Sequence, residues 1–536
     1  MADTQPASAV HGKATEQADR IAAGYAFSAG ALDLGAVVLE GTAYPSDHVR
    51  IPLAMMNRHG LIAGATGTGK TRTLQLLAEQ LSAGGVSVVL ADMKGDLSGL
   101  AQPGTSNDKI AARAGDTGDE WTPAAFPVEF LALGGLGTGV PVRATMTSFG
   151  PVLLSKVLGL NDTQESSLGL VFHYADKAGL PLLDLKDLRS VISYLVGAEG
   201  KAALAGLGGL SSATAGVILR DLIALSDAGG DVFFGEPEWD TQDLLGKAGD
   251  GRGTISAIEL SSVQDKPQLF STFLIWLLAD LFHELPEVGD LDAPKLVFFF
   301  DEAHLLFDDA SKAFLDAVTQ TVRLIRSKGV GIFFVTQNPT DIPDSVLGQL
   351  GNRVQHALRA FTPDDAAALA KAVRTYPETD DYDLSRLLTQ LGTGEAIVTV
   401  LSDRGAPTPV AWTRLLPPRA SMGQLDPAAQ QQAVLSSPLQ PKYGQAIDRE
   451  SAYEKLAAKL APPPQEQQPR QLPAPRQEHH EDRGSGGGGG GGGAVAGGVL
   501  GAVLGSSAFR SFTRSAASAL GREITRGMFG TARKRR

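Results

Sequence analysis

Short apolar runs alternate with amphipathic stretches over most of this sequence. Continuous apolar runs at residues 86–91 and 296–300 are typical of strands buried on both faces of a parallel sheet. Residues 71–83 place Leu74, Leu77 and Leu81 on one helical face. Strands are predicted at residues 60–63, 86–91, 296–300, 331–336, 353–358 and 395–400. Because strands alternate with helices, we predict an α/β fold with a doubly wound, mostly parallel sheet.

The same pattern divides the chain into parts. Residues 48–416 are predicted to form the α/β domain, with a largely helical insertion at about residues 100–290. Residues 1–47 precede it as a partly disordered segment with short strands, because residues 1–30 lack strong apolar periodicity. Residues 417–493 are rich in Pro, Gln and Gly, which predicts a flexible linker. Residues 494–536 form a tail of small and basic residues.

Composition narrows the class of protein. The chain has 536 residues, of which 43% are hydrophobic and 20% charged, as in ordinary globular proteins. The absence of Cys excludes disulfides, thiolate catalysis and cysteine metal sites. The first 20 residues have no basic region followed by an apolar run, and the apolar stretch at 494–504 is too short for a membrane span. We therefore expect a cytoplasmic protein.

The sequence GATGTGKT at residues 64–71 matches the phosphate-binding loop pattern in full. Glycines in this loop allow positive φ, so that backbone N–H groups point at the phosphates of a nucleotide. Lys70 is predicted to reach the β- and γ-phosphates, and the Thr71 hydroxyl to ligate Mg²⁺. ATP and Mg²⁺ are the expected cofactors. The predicted nucleotide-binding residues are Gly64, Ala65, Thr66, Gly67, Thr68, Gly69, Lys70, Thr71 and Arg72.

Two further apolar strands end in polar residues. Asp301 and Glu302 follow the strand at 296–300, and ligands bind beyond the carboxyl ends of strands in a doubly wound sheet. Asp301 is therefore expected to hold Mg²⁺, and Glu302 to polarise the attacking water. Gln337 follows the strand at 331–336, where it can sense the γ-phosphate. Together with Lys70, these residues are the predicted catalytic centre of a hydrolase.

Phosphoryl transfer also needs a positive group on the transition state, often an arginine from a neighbouring subunit. Arg326 is our first candidate and Arg353 the second, with Arg323 and Arg359 as alternatives. The sequence DMKGD at residues 92–96 follows another buried strand. Its Asp92 and Lys94 are expected either to face the nucleotide or a ring centre, or to form a local ion pair.

These motifs resemble the HerA/FtsK superfamily of RecA-like ATPases and, within it, the YjgR-like branch of HerA-like helicases. The resemblance is carried by GATGTGKT at 64–71, VVLADMKGDLSGL at 88–100, VFFFDEAHLLF at 297–307 and the stretch at 325–363 that contains VTQNP. The tail sequence GREITRGMFG at 521–530 is also similar. The resemblance implies a RecA-like fold, a hexameric ring, a glutamine sensor at Gln337 and an arginine finger near Arg326.

Two functions remain open. Relatives of the HerA type move on or unwind duplex DNA, often with a nuclease partner, which implies a DNA translocase or helicase. The alternative is a nucleotide-switched assembly or scaffold ATPase that acts on a protein or membrane partner. The net charge is −12, yet residues 506–536 carry eight Lys/Arg and one acidic residue. This basic tail fits DNA phosphates, an anionic membrane surface or a docking partner.

Overall fold

A single twelve-stranded sheet organises the described part of the chain. The structure is a computed structural model, and it describes residues 7–204, 206–307 and 312–460. The strands are β1 Ala31–Leu39, β2 Thr42–Pro52, β3 Gly60–Ala63, β4 Ser87–Asp92, β5 Val128–Leu133, β6 Val140–Val142, β7 Ile255–Glu259, β8 Leu296–Phe300, β9 Val330–Thr336, β10 Asn352–Gln355, β11 Glu395–Thr399 and β12 Ala411–Leu415. Their order is β2-β1-β12-β11-β10-β3-β9-β8-β4-β7-β5-β6.

Helices connect these strands and surround the sheet. They are α1 Ala7–Ala23, α2 Lys70–Ala83, α3 Asp108–Thr117, α4 Met146–Val157, α5 Asp162–Lys177, α6 Leu185–Val196, α7 Ala198–Ala203, α8 Ser212–Leu225, α9 Asp231–Phe233, α10 Pro267–Glu284, α11 His304–Phe307, α12 Lys312–Ile325, α13 Asp344–Leu347, α14 Pro363–Val373, α15 Leu384–Gln390, α16 Pro427–Ser436, α17 Gln440–Tyr443 and α18 Ala452–Leu460. Residues up to Leu456 form one compact unit, and residues 457–460 belong to a second.

The sheet is parallel from β10 to β6 and antiparallel from β2 to β10. In its centre, every residue of β8 and β9 is buried. Phe300 of β8 stacks on Phe334 of β9 with ring centroids 5.4 Å apart. Such packing matches the continuous apolar runs, because both faces of these strands are covered. The predicted α/β doubly wound fold with a mostly parallel sheet is confirmed.

The N-terminal segment differs from the expectation of a partly disordered piece ahead of the domain. In the structure β1 pairs with β12, so both N-terminal strands belong to the main sheet. Residues 7–23 form α1, and Ala18 and Ile21 are completely buried. Tyr25 is buried as well, and its hydroxyl donates to the carbonyl of Val398 at 3.0 Å. Tertiary packing therefore stabilises a helix whose sequence has only weak periodicity.

The insertion at residues 100–290 contains the predicted helices, but it also contributes β5, β6 and β7 to one edge of the sheet. These three strands are not predicted from the sequence. Val128–Leu133 is an apolar run of six residues, and periodicity alone does not separate such a run from a buried helical turn. Pairing of β7 with β4 extends the parallel part of the sheet beyond the strands that were predicted.

Residues 417–456, which we call the C-terminal strap, lie in the segment predicted to be a flexible linker. The strap is folded on the domain: the Glu79 carboxylate accepts the backbone N–H groups of Arg419 and Ala420 at 2.8 and 2.9 Å. Further along, Tyr443 stacks on Trp239 of the insertion with centroids 4.3 Å apart. The remaining predicted linker from residue 461 and the basic tail at 494–536 lie outside the described residues.

Candidate nucleotide-binding site

The phosphate-binding loop connects β3 to α2 at the carboxyl edge of the parallel sheet. Gly67 and Gly69 have φ of 80° and 119°, a region that favours glycine. A Cβ atom at Gly64 would lie 2.4 Å from the Cβ of His356, so a side chain does not fit there. Lys70 begins α2, which directs the positive end of the helix dipole toward the loop. The local geometry is that of an anion-binding loop.

Lys70 lies folded over this loop. Its Nζ donates to the carbonyl oxygens of Gly64 at 2.7 Å and Ala65 at 3.3 Å. The side chain is buried, and burial lowers the pKa of Lys70, while the charge of nearby Glu302 acts in the opposite direction. A phosphate placed in the loop would replace both carbonyl contacts with a stronger charge-assisted pair.

The acidic pair follows β8 on the same edge. Asp301 and Glu302 are 2% and 6% exposed. One carboxylate oxygen of each, Asp301 Oδ2 and Glu302 Oε2, is buried without a hydrogen-bond partner. Burial, followed by the negative charge of Glu302, raises the pKa of Asp301 to about 7. The positive charge of Lys94 lowers the pKa of Asp301, but the effect of burial is larger.

The residues present fit a magnesium ion. Thr71 follows Lys70 in the chain, and the charge of Asp301 acts on the pKa of Lys70. The free Oδ2 of Asp301 is a hard oxygen ligand, as Mg²⁺ prefers. Among the described residues, no group of three or more His, Asp or Glu side chains can hold a metal. A bound Mg²⁺ would therefore take its other ligands from nucleotide and water.

Gln337 follows β9 directly and is exposed. The N–H of Gly64 donates to the carbonyl of Thr336 at 3.2 Å, so Gln337 borders the first residue of the phosphate-binding loop. Arg72, in the first turn of α2, donates to Gln75 Oε1 at 3.0 Å. Gln337 and Arg72 thus lie at the two ends of the loop, and their contact with a nucleotide stays a prediction.

The two arginine candidates are placed away from Lys70. Arg326 lies in the turn between α12 and β9, at the edge where the parallel strands begin, and it is exposed. Arg353 lies within β10, opposite Leu61 of β3, and its guanidinium donates to the carbonyl of Thr375 at 3.2 Å. The structure thus brings together Lys70, Asp301, Glu302 and Gln337, but neither arginine.

Two residues that contact the phosphate-binding loop, His356 and Gly394, are not predicted from the sequence. His356 follows β10 and is completely buried, with Nε2 2.8 Å from Thr73 Oγ1. The N–H of Gly394 donates to the carbonyl of Thr68 at 2.9 Å and closes the other side of the loop. His356 directly follows β10, which pairs with β3, just as Asp301 directly follows β8. That placement was the signal that could have identified it.

Lys94, whose role the sequence left open, contacts Glu302 rather than an acid of its own loop: its Nζ donates to Glu302 Oε1. Asp92 accepts the backbone N–H groups of Lys94, Gly95 and Leu97 and so fixes the loop. In the described part of the chain, every helix is too short or too polar to cross a lipid bilayer.

Comparison with known proteins gives one family. The family model for the C-terminal part of HerA-like helicases matches residues 38–536. Comparison with curated proteins gives no match. A solved structure of the bacterial conjugative coupling protein TrwBdeltaN70 matches with 15% identity and a TM-score of 0.49, covering 77% of this chain and 94% of that one. The plasmid coupling protein TrwB in complex with ADP and Mg²⁺ matches with 16% identity and a TM-score of 0.49, covering 76% of this chain and 93% of that one. VirB4 of Thermoanaerobacter pseudethanolicus matches with 15% identity and a TM-score of 0.45, covering 73% of this chain and 97% of that one.

Proposed function

The chain belongs to the HerA-like helicase family of P-loop ATPases, within the HerA/FtsK superfamily, and from this premise we propose that it is an ATP-driven ring motor that moves on duplex DNA. The observation that carries the hydrolytic part is the convergence of Lys70, Asp301 and Glu302 at one edge of the sheet. Membership in the YjgR-like branch stays a prediction, which rests on the sequence motifs alone.

In the proposed site, backbone N–H groups of the phosphate-binding loop and Lys70 hold the phosphates of ATP. Thr71 and Asp301 would hold Mg²⁺, which supplies positive charge against the charge that develops on the transferred phosphoryl group. Glu302 orients a water for in-line attack and accepts its proton. Gln337, next to the loop, responds to the presence of the γ-phosphate.

The position of Arg326 supports the proposal of a ring. It lies at the edge where β9 begins, whereas the phosphate-binding loop follows the edge where β3 ends. Because β9 has seven residues at about 3.3 Å each, roughly 20 Å separates the two edges. Arg326 can therefore act as an arginine finger only on a neighbouring subunit, and we propose a homo-hexamer in which it does so.

DNA as the substrate is proposed from the family and from the basic tail, whose eight cations can neutralise several phosphates. A nuclease is one proposed protein partner. The net charge of −12 favours a second candidate, because an acidic body does not attract DNA by itself. In that case the protein is a nucleotide-switched scaffold whose tail contacts a protein or an anionic membrane surface.

The test is steady-state ATP hydrolysis by the full chain, with and without linear duplex DNA, at two salt concentrations. A DNA motor is stimulated by duplex DNA, and the stimulation weakens at high salt because phosphate contacts are screened. Removal of the residues after Arg483 then shows whether the tail recruits the DNA. Hydrolysis that does not respond to DNA would favour the scaffold. The Lys70→Ala variant serves as the inactive control.

A further inference from the structure

The loop after β4 holds one lysine in a fixed position. The Asp92 carboxylate accepts the backbone N–H groups of Lys94, Gly95 and Leu97 at 3.2, 2.7 and 3.1 Å. Gly95 has a φ of 70°, which suits glycine, and Leu97 is buried. On the other side of the loop, the Gln264 side chain donates to the carbonyl of Met93. The backbone at Lys94 is thus anchored from both sides.

This lysine points across to the neighbouring strand. Because β4 and β8 are parallel neighbours with Ala91 opposite Phe300, Lys94 and Glu302 leave the sheet at the same edge. Lys94 Nζ donates to Glu302 Oε1. The lysine side chain is 46% exposed, but that of its partner is only 8% exposed. An exposed surface pair would contribute little, whereas this pair supplies a cation to a carboxylate that is withdrawn from water.

The backbone at Glu302 is also unusual. Its φ is 50°, a left-handed conformation that is uncommon for residues other than glycine and that occurs often at functional sites. Neighbouring hydrogen bonds hold it there: the Ala303 N–H donates to the carbonyl of Val335 at 2.8 Å, and the Leu305 N–H to that of Glu302 at 3.0 Å. The position of the Glu302 carboxylate is therefore determined by the backbone turn and by Lys94.

The two oxygens of this carboxylate have different surroundings. Oε1 accepts from Lys94, while Oε2 has no hydrogen-bond partner. His304 Nδ1 lies 3.3 Å from Oε2 without the alignment of a hydrogen bond. A general base needs one free oxygen and an orientation set by a second group. One oxygen is thus held by Lys94, and the other is buried beside His304 with no hydrogen bond of its own.

We propose that Lys94 is a positioning residue for Glu302: it holds Oε1 so that Oε2 accepts the hydrogen bond of the attacking water. This role rests on the proposed ATP hydrolysis and adds to it a residue outside the phosphate-binding loop and the strand of the acidic pair. In this role Lys94 acts through Glu302 and not by holding the nucleotide. It therefore affects the hydrolytic step and leaves ATP binding unchanged.

A double-mutant cycle tests this coupling. Wild type, Lys94→Met, Glu302→Gln and the double variant are compared by single-turnover hydrolysis and by equilibrium binding of ATP. We expect Lys94→Met to slow hydrolysis roughly 10- to 100-fold, less than the loss of the general base itself, with ATP affinity unchanged. Lys94→Arg, which keeps the donor and the charge, should retain most of the activity. In the Glu302→Gln background, Lys94→Met should cause no further loss, because residues that act as a unit are not additive.

The outcomes separate the two proposals. Additive losses in the cycle, or loss of ATP affinity in Lys94→Met, would overturn the role of Lys94 while leaving the ATPase intact. A wild-type chain that hydrolyses no ATP would overturn both. Lys109→Met, at an exposed position on α3, is the matched control and should hydrolyse ATP like the wild type. Because Lys94 is half exposed, both Lys94→Met and Lys94→Ala should fold. Each of them should hydrolyse ATP more slowly and bind it with unchanged affinity.

Discussion

The imidazole of His356 lies beneath the phosphate-binding loop and is 2.8 Å from the Thr73 hydroxyl, measured from Nε2 to Oγ1. Burial, followed by the charge of Lys70, lowers the pKa of His356 to about 4, so the ring is neutral at pH 7. The Thr73 hydroxyl in turn donates to the carbonyl of Gly69 at 3.3 Å. These contacts connect β10 to the loop and to the first turn of α2, and so stabilise the backbone on which the phosphates would bind.

We therefore predict that His356→Ala weakens nucleotide binding by roughly tenfold, or about 1.4 kcal/mol, because the loop loses a buried contact and a hydrogen bond. The measurement is titration with a fluorescent ADP analogue, together with thermal unfolding. Thr73→Val keeps the shape of the side chain but removes the hydroxyl, and it should show a smaller decrease. Wild-type affinity in His356→Ala would show that the loop holds its conformation without this support.

A second prediction separates binding from hydrolysis. Lys70→Ala should abolish nucleotide binding or turnover, because it removes the charge that holds the β- and γ-phosphates. Glu302→Gln should bind ATP normally but hydrolyse it orders of magnitude more slowly, since the amide is similar in shape but does not accept the proton. Binding and single-turnover assays on both variants test this. Full activity in Glu302→Gln would exclude Glu302 as the general base.

Most of the fold and the positions of the candidate site residues could be predicted because the informative features are local. Neighbouring residues are enough to identify the Gly-rich loop, the apolar strand before Asp301 and the polar residue after each strand. His356 and Lys94 differ, since each acts on a residue far away in sequence: His356 on Thr73 and Lys94 on Glu302. The C-terminal strap differs from the predicted linker for a related reason. Its polar composition is typical of a linker, and partners such as Glu79 and Trp239 become visible only in the folded chain.

A third prediction concerns acid stability through His59. This residue is buried just before β3, with a φ of 59°, and its Nδ1 accepts the N–H of Ile332 at 3.0 Å. Burial lowers the pKa of His59 from 6.5 to about 4. Between these pH values the unfolded chain binds a proton that the folded chain does not, so stability from this residue is full above about pH 6.5 and is lost as the pH falls toward 4. The loss from pH 7 to 5 is of the order of 2 kcal/mol.

His59→Asn should reduce this pH dependence. Asparagine also adopts left-handed conformations and offers a side-chain oxygen to the Ile332 N–H, but it does not titrate. The quantity to compare is the decrease in Tm between pH 7 and pH 5, which should be smaller in the variant than in the wild type. His356 titrates in the same window in both proteins, so its contribution cancels. Equal decreases in Tm would exclude His59 as a source of acid sensitivity.

The last prediction tests whether the active site is shared between subunits. Arg326 is exposed at the edge of the sheet opposite its own phosphate-binding loop, so it can complete a site only in a neighbouring copy. Arg326→Ala subunits keep an intact loop but lack the finger, while Lys70→Ala subunits lack the loop lysine but keep the finger. Each variant alone should be nearly inactive. Mixing them should restore part of the turnover, because some interfaces then combine an intact loop with an intact Arg326.

The alternative finger is Arg323, which lies one turn earlier on α12, and Arg323→Ala is tested in the same mixing experiment. If no mixing ratio restores turnover with Arg326→Ala but one does with Arg323→Ala, the finger is Arg323, and the interface is shifted along α12 by about one helical turn from the one proposed.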